Sequence, residues 1–203
     1  MANLLETATG RLIDVENPDP LTIHIDDIAW GLSRSPRFCG HTITVIPYNN
    51  ALHSIFVADE VDNLLLETGW IVGTHGTKQD RNNVILKALL HDAPEVFTGD
   101  LPSPIKKIPA LRPIIKQIEN NLMSAIYQSL NLEPMNSFEE GIIKRADRIA
   151  QKVEAHAFMV SRGKDWPDLP EVSLERLQQF NAPLDSLTSY KLFMEKFNSL
   201  LSK

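Results

Sequence analysis

The sequence predicts an all-α fold, a helical bundle in one domain spanning residues 1–203. Three observations carry this. Apolar residues recur at three- and four-residue spacing in segment after segment. The run Val84-Ile85-Leu86-Lys87-Ala88-Leu89-Leu90 is apolar at six of seven positions, as expected of a central helix buried nearly all round. A chain of 203 residues with 43% hydrophobic content can enclose one substantial core.

Only the first segment departs from helical spacing. Arg11 to Ile25 alternates weakly around Asn17-Pro18-Asp19-Pro20, which predicts short extended pieces and a tight bend near the N-terminus. Asp26-Asp27 starts a short helix, Ile28 to Leu32. Ser33 to Asn50 reads as a loop, with room for a short hairpin in the β-leaning stretch Thr42 to Ile46 that Pro47 stops. Asn49 or Asn50 caps a helix carrying Leu52, Ile55, Phe56, Val61, Leu64 and Leu65 as far as Gly69. Asp80 to Asn83 offers the cap for the buried helix that follows. Pro102, Pro104 and Pro109 force a loop, after which Ile115, Ile118, Leu122, Met123, Ile126 and Leu130 form an amphipathic stripe. Ser137-x-x-Glu140 has the pattern of a capping box opening the helix with Ile142, Ile143, Ala146, Ile149, Ala150 and Val153. Beyond the breaker Asp165-Trp166-Pro167, a short helix at Leu174 and Leu177 and a closing one from Leu187 to Leu200 complete the bundle. The core is expected over about 28–158, with C-terminal helices in 172–201 packed on it.

Charge and cysteine content narrow the function. A net charge of −6 and no basic stripe argue against a nucleic-acid polymer as partner, so an anionic substrate has to be captured locally. One cysteine, Cys39, can form neither an intrachain disulfide nor a thiolate zinc cluster, and Met1 to Gly10 lacks a basic-then-apolar signal pattern. The expected setting is cytoplasmic, with no membrane partner, since no apolar run approaches bilayer length.

The chemistry is concentrated where His91 and Asp92 directly follow the buried helix. An unpaired buried carboxylate is costly, and a bound cation would compensate Asp92; imidazole with carboxylate suits divalent transition metals. His53 lies one turn into an apolar helix, and Asp147 lies between Ala146 and Ile149 in another. Alone, His53 reads as a hydrogen-bonded core histidine, and Asp147 as a salt-bridge partner of Arg145 or Arg148. Together, His, His-Asp and Asp on separate helices let a bundle converge four ligands on one internal point.

The run from His91 to Lys107 (HDAPEVFTGDLPSPIKK), with Arg37-Phe38, His53 and Ala146-Asp147, closely resembles the HD-domain metal-dependent phosphohydrolases. Within them it is similar to the small bacterial 5′-deoxynucleotidases and their phage-encoded relatives. The resemblance implies that His53, His91, Asp92 and Asp147 hold the metal, that Glu95 is the acid/base or water-orienting group, and that Asp100 supports the reaction. It also implies that Arg37 and Lys106 contact phosphate; Lys107 beside them is a candidate too. If the helix continues past Asp92, Glu95 falls on the ligands' face. The borderline character of imidazole favours Co, Mn or Fe(II), with Mg or Zn also open.

The implied reaction cleaves the 5′-O–P bond of a 2′-deoxynucleotide, with a homo-oligomer expected. The loop Arg34 to Thr42 looks more like the phage dNTP hydrolases than the bacterial monophosphatase, because Phe38 stands where a tryptophan usually follows the arginine. That favours dATP going to deoxyadenosine and triphosphate; a dNMP 5′-deoxynucleotidase and a non-catalytic nucleotide-binding regulator are the alternatives. His41 would touch phosphate or base, and Pro102 and Pro104 would crowd a ribose 2′-hydroxyl if they wall the pocket. Glu154, seven residues after Asp147, reads as a solvated helical glutamate rather than a group behind the ligands.

Overall fold

The computed structural model describes residues 3–167 and 169–201. Leu4–Glu6 (β1) and Leu12–Asp14 (β2) pair antiparallel, with Leu5 opposite Ile13. The hairpin is tied down by Thr9, whose backbone N–H and hydroxyl both donate to the buried Asp27 carboxylate, at 3.0 and 2.8 Å. Asp27 belongs to Ile25–Arg34 (α1), which is longer than the short helix its sequence suggested. The turn-prone prolines behave as expected, for Asp19 caps a single 3-10 turn at Pro20–Thr22.

Among the described residues eight further α-helices follow α1, three of them of four residues each. Asn50–Glu67 (α2) is the central rod, packed on α1, on Lys78–Leu89 (α3), on Ser137–Phe158 (α7) and on Ser186–Leu201 (α9). Between them lie Glu95–Thr98 (α4), Ser103–Lys106 (α5), Arg112–Ser129 (α6) and Leu174–Leu177 (α8). The architecture is the helical bundle that the sequence predicts. No helix among the described residues is long and apolar enough to cross a membrane.

The apolar run in α3 is buried throughout, its one polar member included. Lys87 is 5% exposed and its ammonium donates to both oxygens of Glu139, each at 2.8 Å, fixing α3 to the first turn of α7. At the other end of the chain α9 closes the bundle. Trp30 of α1 stacks on Tyr190 with ring centroids 4.2 Å apart, and the Tyr190 hydroxyl donates to Asp26 at 2.7 Å.

Three local expectations are corrected. The α3 cap is Thr77, in a reciprocal box with Asp80, so the helix starts before Asp80 to Asn83. The α7 box is Asn136 with Glu139 rather than Ser137 with Glu140, a register that also delivers Glu139 to Lys87. Thr42 to Ile46 forms bends instead of a hairpin: Ile43, Val45 and Ile46 are all exposed, so the stretch has no second layer against which to bury a β face.

Candidate metal centre

Three elements deliver the cluster. Asn49 caps α2 by accepting from the Leu52 N–H at 3.1 Å, while its amide donates to Ser189 Oγ at 2.9 Å and to the Leu184 carbonyl at 3.3 Å. Asn50, the other sequence candidate for the cap, is the first helical residue and is released for a different task. His53 follows one turn later and is fully buried. The second element is the end of α3, where His91 and Asp92 occupy turns rather than a continuing helix. Pro94 explains the break: it has no N–H to donate, and its ring would strike the carbonyl of residue 90 in a helix. The third is α7, which carries Asp147 and Glu154 two turns apart on one face.

The four expected ligand residues converge. His53 Nε2 lies 3.3 Å from Asp147 Oδ1 and 3.5 Å from Asp92 Oδ2; His91 Nε2 lies 3.3 Å from Asp92 Oδ2 and 3.9 Å from Asp147 Oδ1. One ligand atom each from His53, His91 and Asp147 fits within 4.8 Å of the others. Both ring orientations are set from behind. His53 Nδ1 meets Glu154 Oε1 at 2.7 Å, and His91 Nδ1 meets the Ala88 carbonyl at 2.8 Å. Each Nδ1 faces an acceptor, which favours the tautomer with its proton there and turns the Nε2 lone pair inward. Both Nε2 atoms are buried without a hydrogen-bond partner among the described residues. Two orphaned imidazole nitrogens facing two carboxylates are a donor set that fits a divalent transition ion.

The same acidic groups also favour protons on the imidazoles, in the place a cation would take. Burial and the Arg37 charge press the His53 pKa down, but Glu154 and Asp147 outweigh them and raise it to about 10. Burial opposes His91 protonation as well, yet Asp92 raises it. Asp92 is held well below the usual carboxylate range: burial works against this, and His91, His53 and Arg37 overcome it. The pocket therefore has an excess of negative charge that draws positive charge in.

Glu154 corrects the expectation of a solvated side chain, since it is fully buried. Besides His53 it pairs with Arg37, whose Nη2 lies 3.5 Å from Glu154 Oε2 and whose Nη1 lies 3.5 Å from Asp92 Oδ2. Its only sequence signal was the seven-residue spacing from Asp147.

Glu95 opens α4 with 6% exposure. Asn50 donates to its Oε2 at 3.1 Å and Lys106 to its Oε1 at 2.7 Å. Burial, then the charges of Asp92 and Asp100, push its pKa up to about 8, with Lys106 pulling the other way. Lys106 is also 2.9 Å from Glu119, so it is spent on carboxylates. Asn50 was read from the sequence only as a possible cap of α2, not as a partner of Glu95, and Glu119 had not been singled out.

The remaining candidates are looser. Phe38 is half-buried, packs edge-on against Trp166 at 5.5 Å, and adopts a left-handed backbone with φ 55°. Asp100 is half-buried and reaches Glu95 and Arg37 through its charge. His41, Pro104 and Lys107 are exposed and make no described contact with the cluster.

A family model described as "5'-deoxynucleotidase YfbR-like" matches residues 37–200, which include every residue of this cluster. The chain belongs to the YfbR-like family. It is thus a hydrolase of the HD-domain phosphohydrolase type, acting on deoxynucleotides. Along almost its whole length it is similar to the uncharacterized protein YfdR of Escherichia coli (strain K12), 28% identical over 199 residues, covering 98% of this chain and 96% of that one. A dATP triphosphohydrolase of Salmonella phage PMBT28 is 31% identical over 114 residues, 56% of this chain and 55% of its own. The 5'-deoxynucleotidase PM0747 of Pasteurella multocida (strain Pm70) is 29% identical over 111 residues, 48% of this chain and 56% of its own. YfbR-like membership implies a divalent metal, and the cluster just described is compatible with one.

Proposed function

We propose that the chain is a metal-dependent hydrolase that cleaves the 5′-O–P bond of 2′-deoxynucleotides, with dATP going to deoxyadenosine and triphosphate. The observation that carries the reading is the pair of inward, unpartnered Nε2 atoms of His53 and His91 beside Asp92 and Asp147. These four residues would hold the ion, and Co, Mn or Fe(II) suits them. When bound, such an ion supplies a Lewis acid for a phosphoryl oxygen and makes water acidic enough to attack phosphorus.

The chain's own groups supply the rest. Glu154 and the Ala88 carbonyl keep the two imidazoles in one orientation. Glu95, titrating at about 8, has a pKa matched to holding and passing a proton near neutral pH. Its proton goes to the departing 5′-oxygen, while Asn50 and Lys106 keep the carboxyl from rotating away. Arg37 places a permanent positive charge where charge builds on phosphorus. Asp100 holds Glu95 up electrostatically. Leu101 and Pro102, the half-buried residues that lead into α5, would form the wall against a ribose 2′-hydroxyl.

The phage relative named as a dATP triphosphohydrolase supports the triphosphate reading, as does Phe38 after the arginine. One observation favours a monophosphate substrate instead: Arg37 and Lys106 are both committed to carboxylates, whereas Lys107, of the three cations expected to meet phosphate, makes no ion pair among the described residues. The metal-loaded protein should be assayed against the four dNMPs and four dNTPs, with ATP beside dATP and chromatography of the products. The expected result is deoxyadenosine plus triphosphate in one step, with ATP a poor substrate. Accumulation of dADP or dAMP from dATP would overturn one-step release, and equal rates on ATP would overturn the sugar preference. Phosphate release from dNMPs alone would establish the monophosphate reaction.

A further inference from the structure

A cavity of about 550 Å³ opens beside α7, and none of the residues of the metal cluster lines it. Its helical wall carries Lys144, Arg145 and Arg148, which lie from about a fifth to about half of a turn round α7 from the line joining Asp147 to Glu154. The facing wall is the segment leading into α8, ending at Arg176. That segment is braced: Arg176 Nη2 lies 2.7 Å from Glu60 and 3.0 Å from Glu67, both on α2.

Charge makes the cleft unusual on this chain. Among the described residues four cationic side chains line it against one carboxylate, Glu171, although the whole chain carries −6. Arg176 has its acidic partners, and the Arg145 charge reaches Glu60, but Lys144, Arg145 and Arg148 make no close ion pair among the described residues. Lys144 and Arg148 stand four apart on a helix, where like charges repel, so the fold gains nothing from the arrangement. An anion would relieve it. The cavity also has an apolar side, from Ile149, 6% exposed, and Val172. Its volume falls within the roughly 300–1,000 Å³ typical of small-molecule sites.

We propose that this cleft binds a nucleoside polyphosphate, its phosphates on Lys144, Arg145 and Arg148 and its base against Ile149 and Val172. Cations at 144, 145 and 148 span about 6 Å of helix rise, the reach of a short phosphate chain. Guanidinium forks suit phosphate oxygens, and the apolar side gives a nucleotide an advantage over bare inorganic tripolyphosphate. The site would be separate from the reaction centre and occupied alongside it.

The test is a calorimetric titration of the metal-loaded protein with a dATP analogue whose 5′-oxygen is replaced by methylene, which 5′-O–P cleavage cannot break. The double variant Lys144→Ala/Arg148→Ala should lose one equivalent of binding, or weaken it about tenfold or more, the scale of losing charge-assisted hydrogen bonds. An equivalent that survives unchanged at the metal centre reports that the variant is folded. In the unmutated protein the analogue should slow hydrogen exchange across residues 170–176, a readout that needs no variant. Identical stoichiometry and affinity in the double variant would overturn the proposal. Inorganic tripolyphosphate binding the cleft as tightly as the analogue would overturn the role of the base. Neither outcome depends on the substrate panel above, so failure of the catalytic reading shows separately, as lost or misdirected turnover.

Discussion

Glu95 combines burial with three charged influences, and each can be removed singly. If it donates a proton, kcat should fall as pH rises through about 8. Asp100→Asn removes a charge that raises Glu95, so the alkaline limb should move to lower pH; Lys106→Met removes the cation that lowers it, so the limb should move up. Glu95→Gln should keep its metal and lose about 10²-fold or more in kcat, and an unchanged kcat would dismiss the assignment. Stability has its own sign. The folded pKa lies above the ordinary 4.5, so the Glu95 contribution is complete below about 4.5 and disappears as pH climbs through about 8. Melting of the unmutated protein should therefore decline over that window more than melting of Glu95→Gln. Behind the proposed ligand His53, Glu154→Gln should weaken metal affinity by roughly 10–100-fold, as measured by competition with a chelator. His53, His91, Asp92 and Asp147 were legible as polar residues bordering apolar runs. Glu154 was not, because its burial depends on which face of α7 meets α2, and a single sequence shows a charged residue at helical spacing either way.

At the scale of elements, the break after α3 matters most. The sequence suggested that Glu95 reaches the ligands' face along an unbroken helix; Pro94 instead starts a separate turn, α4, whose position has to be fixed by packing. Gly31 of α1 provides that fit. A methyl group at Gly31 would overlap Val96 of α4, so α4 can lie against α1 only because residue 31 has no side chain. Gly31→Ala should cost about 1–3 kcal/mol by overpacking and should also displace Glu95. A drop in kcat together with a lower melting temperature is expected, whereas an unchanged kcat would show that α4 is held by other means. The caps were legible as residue types but not in register. Asn136 and Glu139 won over Ser137 and Glu140 because only that choice also neutralises the buried Lys87, a tertiary requirement no local pattern contains.

For the whole molecule, the candidate metal centre joins α2, the turn after α3 and α7, so an ion held there would crosslink the bundle. Metal at a hundred times its dissociation constant should stabilise the fold by about 2.7 kcal/mol if the unfolded chain does not bind it. A rise in melting temperature on adding Mn or Co, reversed by chelator and absent in Asp92→Ala, is the expected result; the same rise in Asp92→Ala would move the ion elsewhere. The bundle itself was legible because helical periodicity survives in every long segment, while the Thr42 to Ile46 stretch misled because β propensity needs a partner surface. The cap of α2 has a further consequence, in the order of synthesis. Asn49 completes its hydrogen bonds through Leu184 and Ser189, about 140 residues downstream. A ribosome delivers His53 early and the last of the cluster, Asp147, well before α9. The frame that orients the start of α2 is closed only once α9 has emerged, so a nascent chain carrying all four proposed ligands would still lack a fully braced centre, and catalytic competence should arrive abruptly after α9.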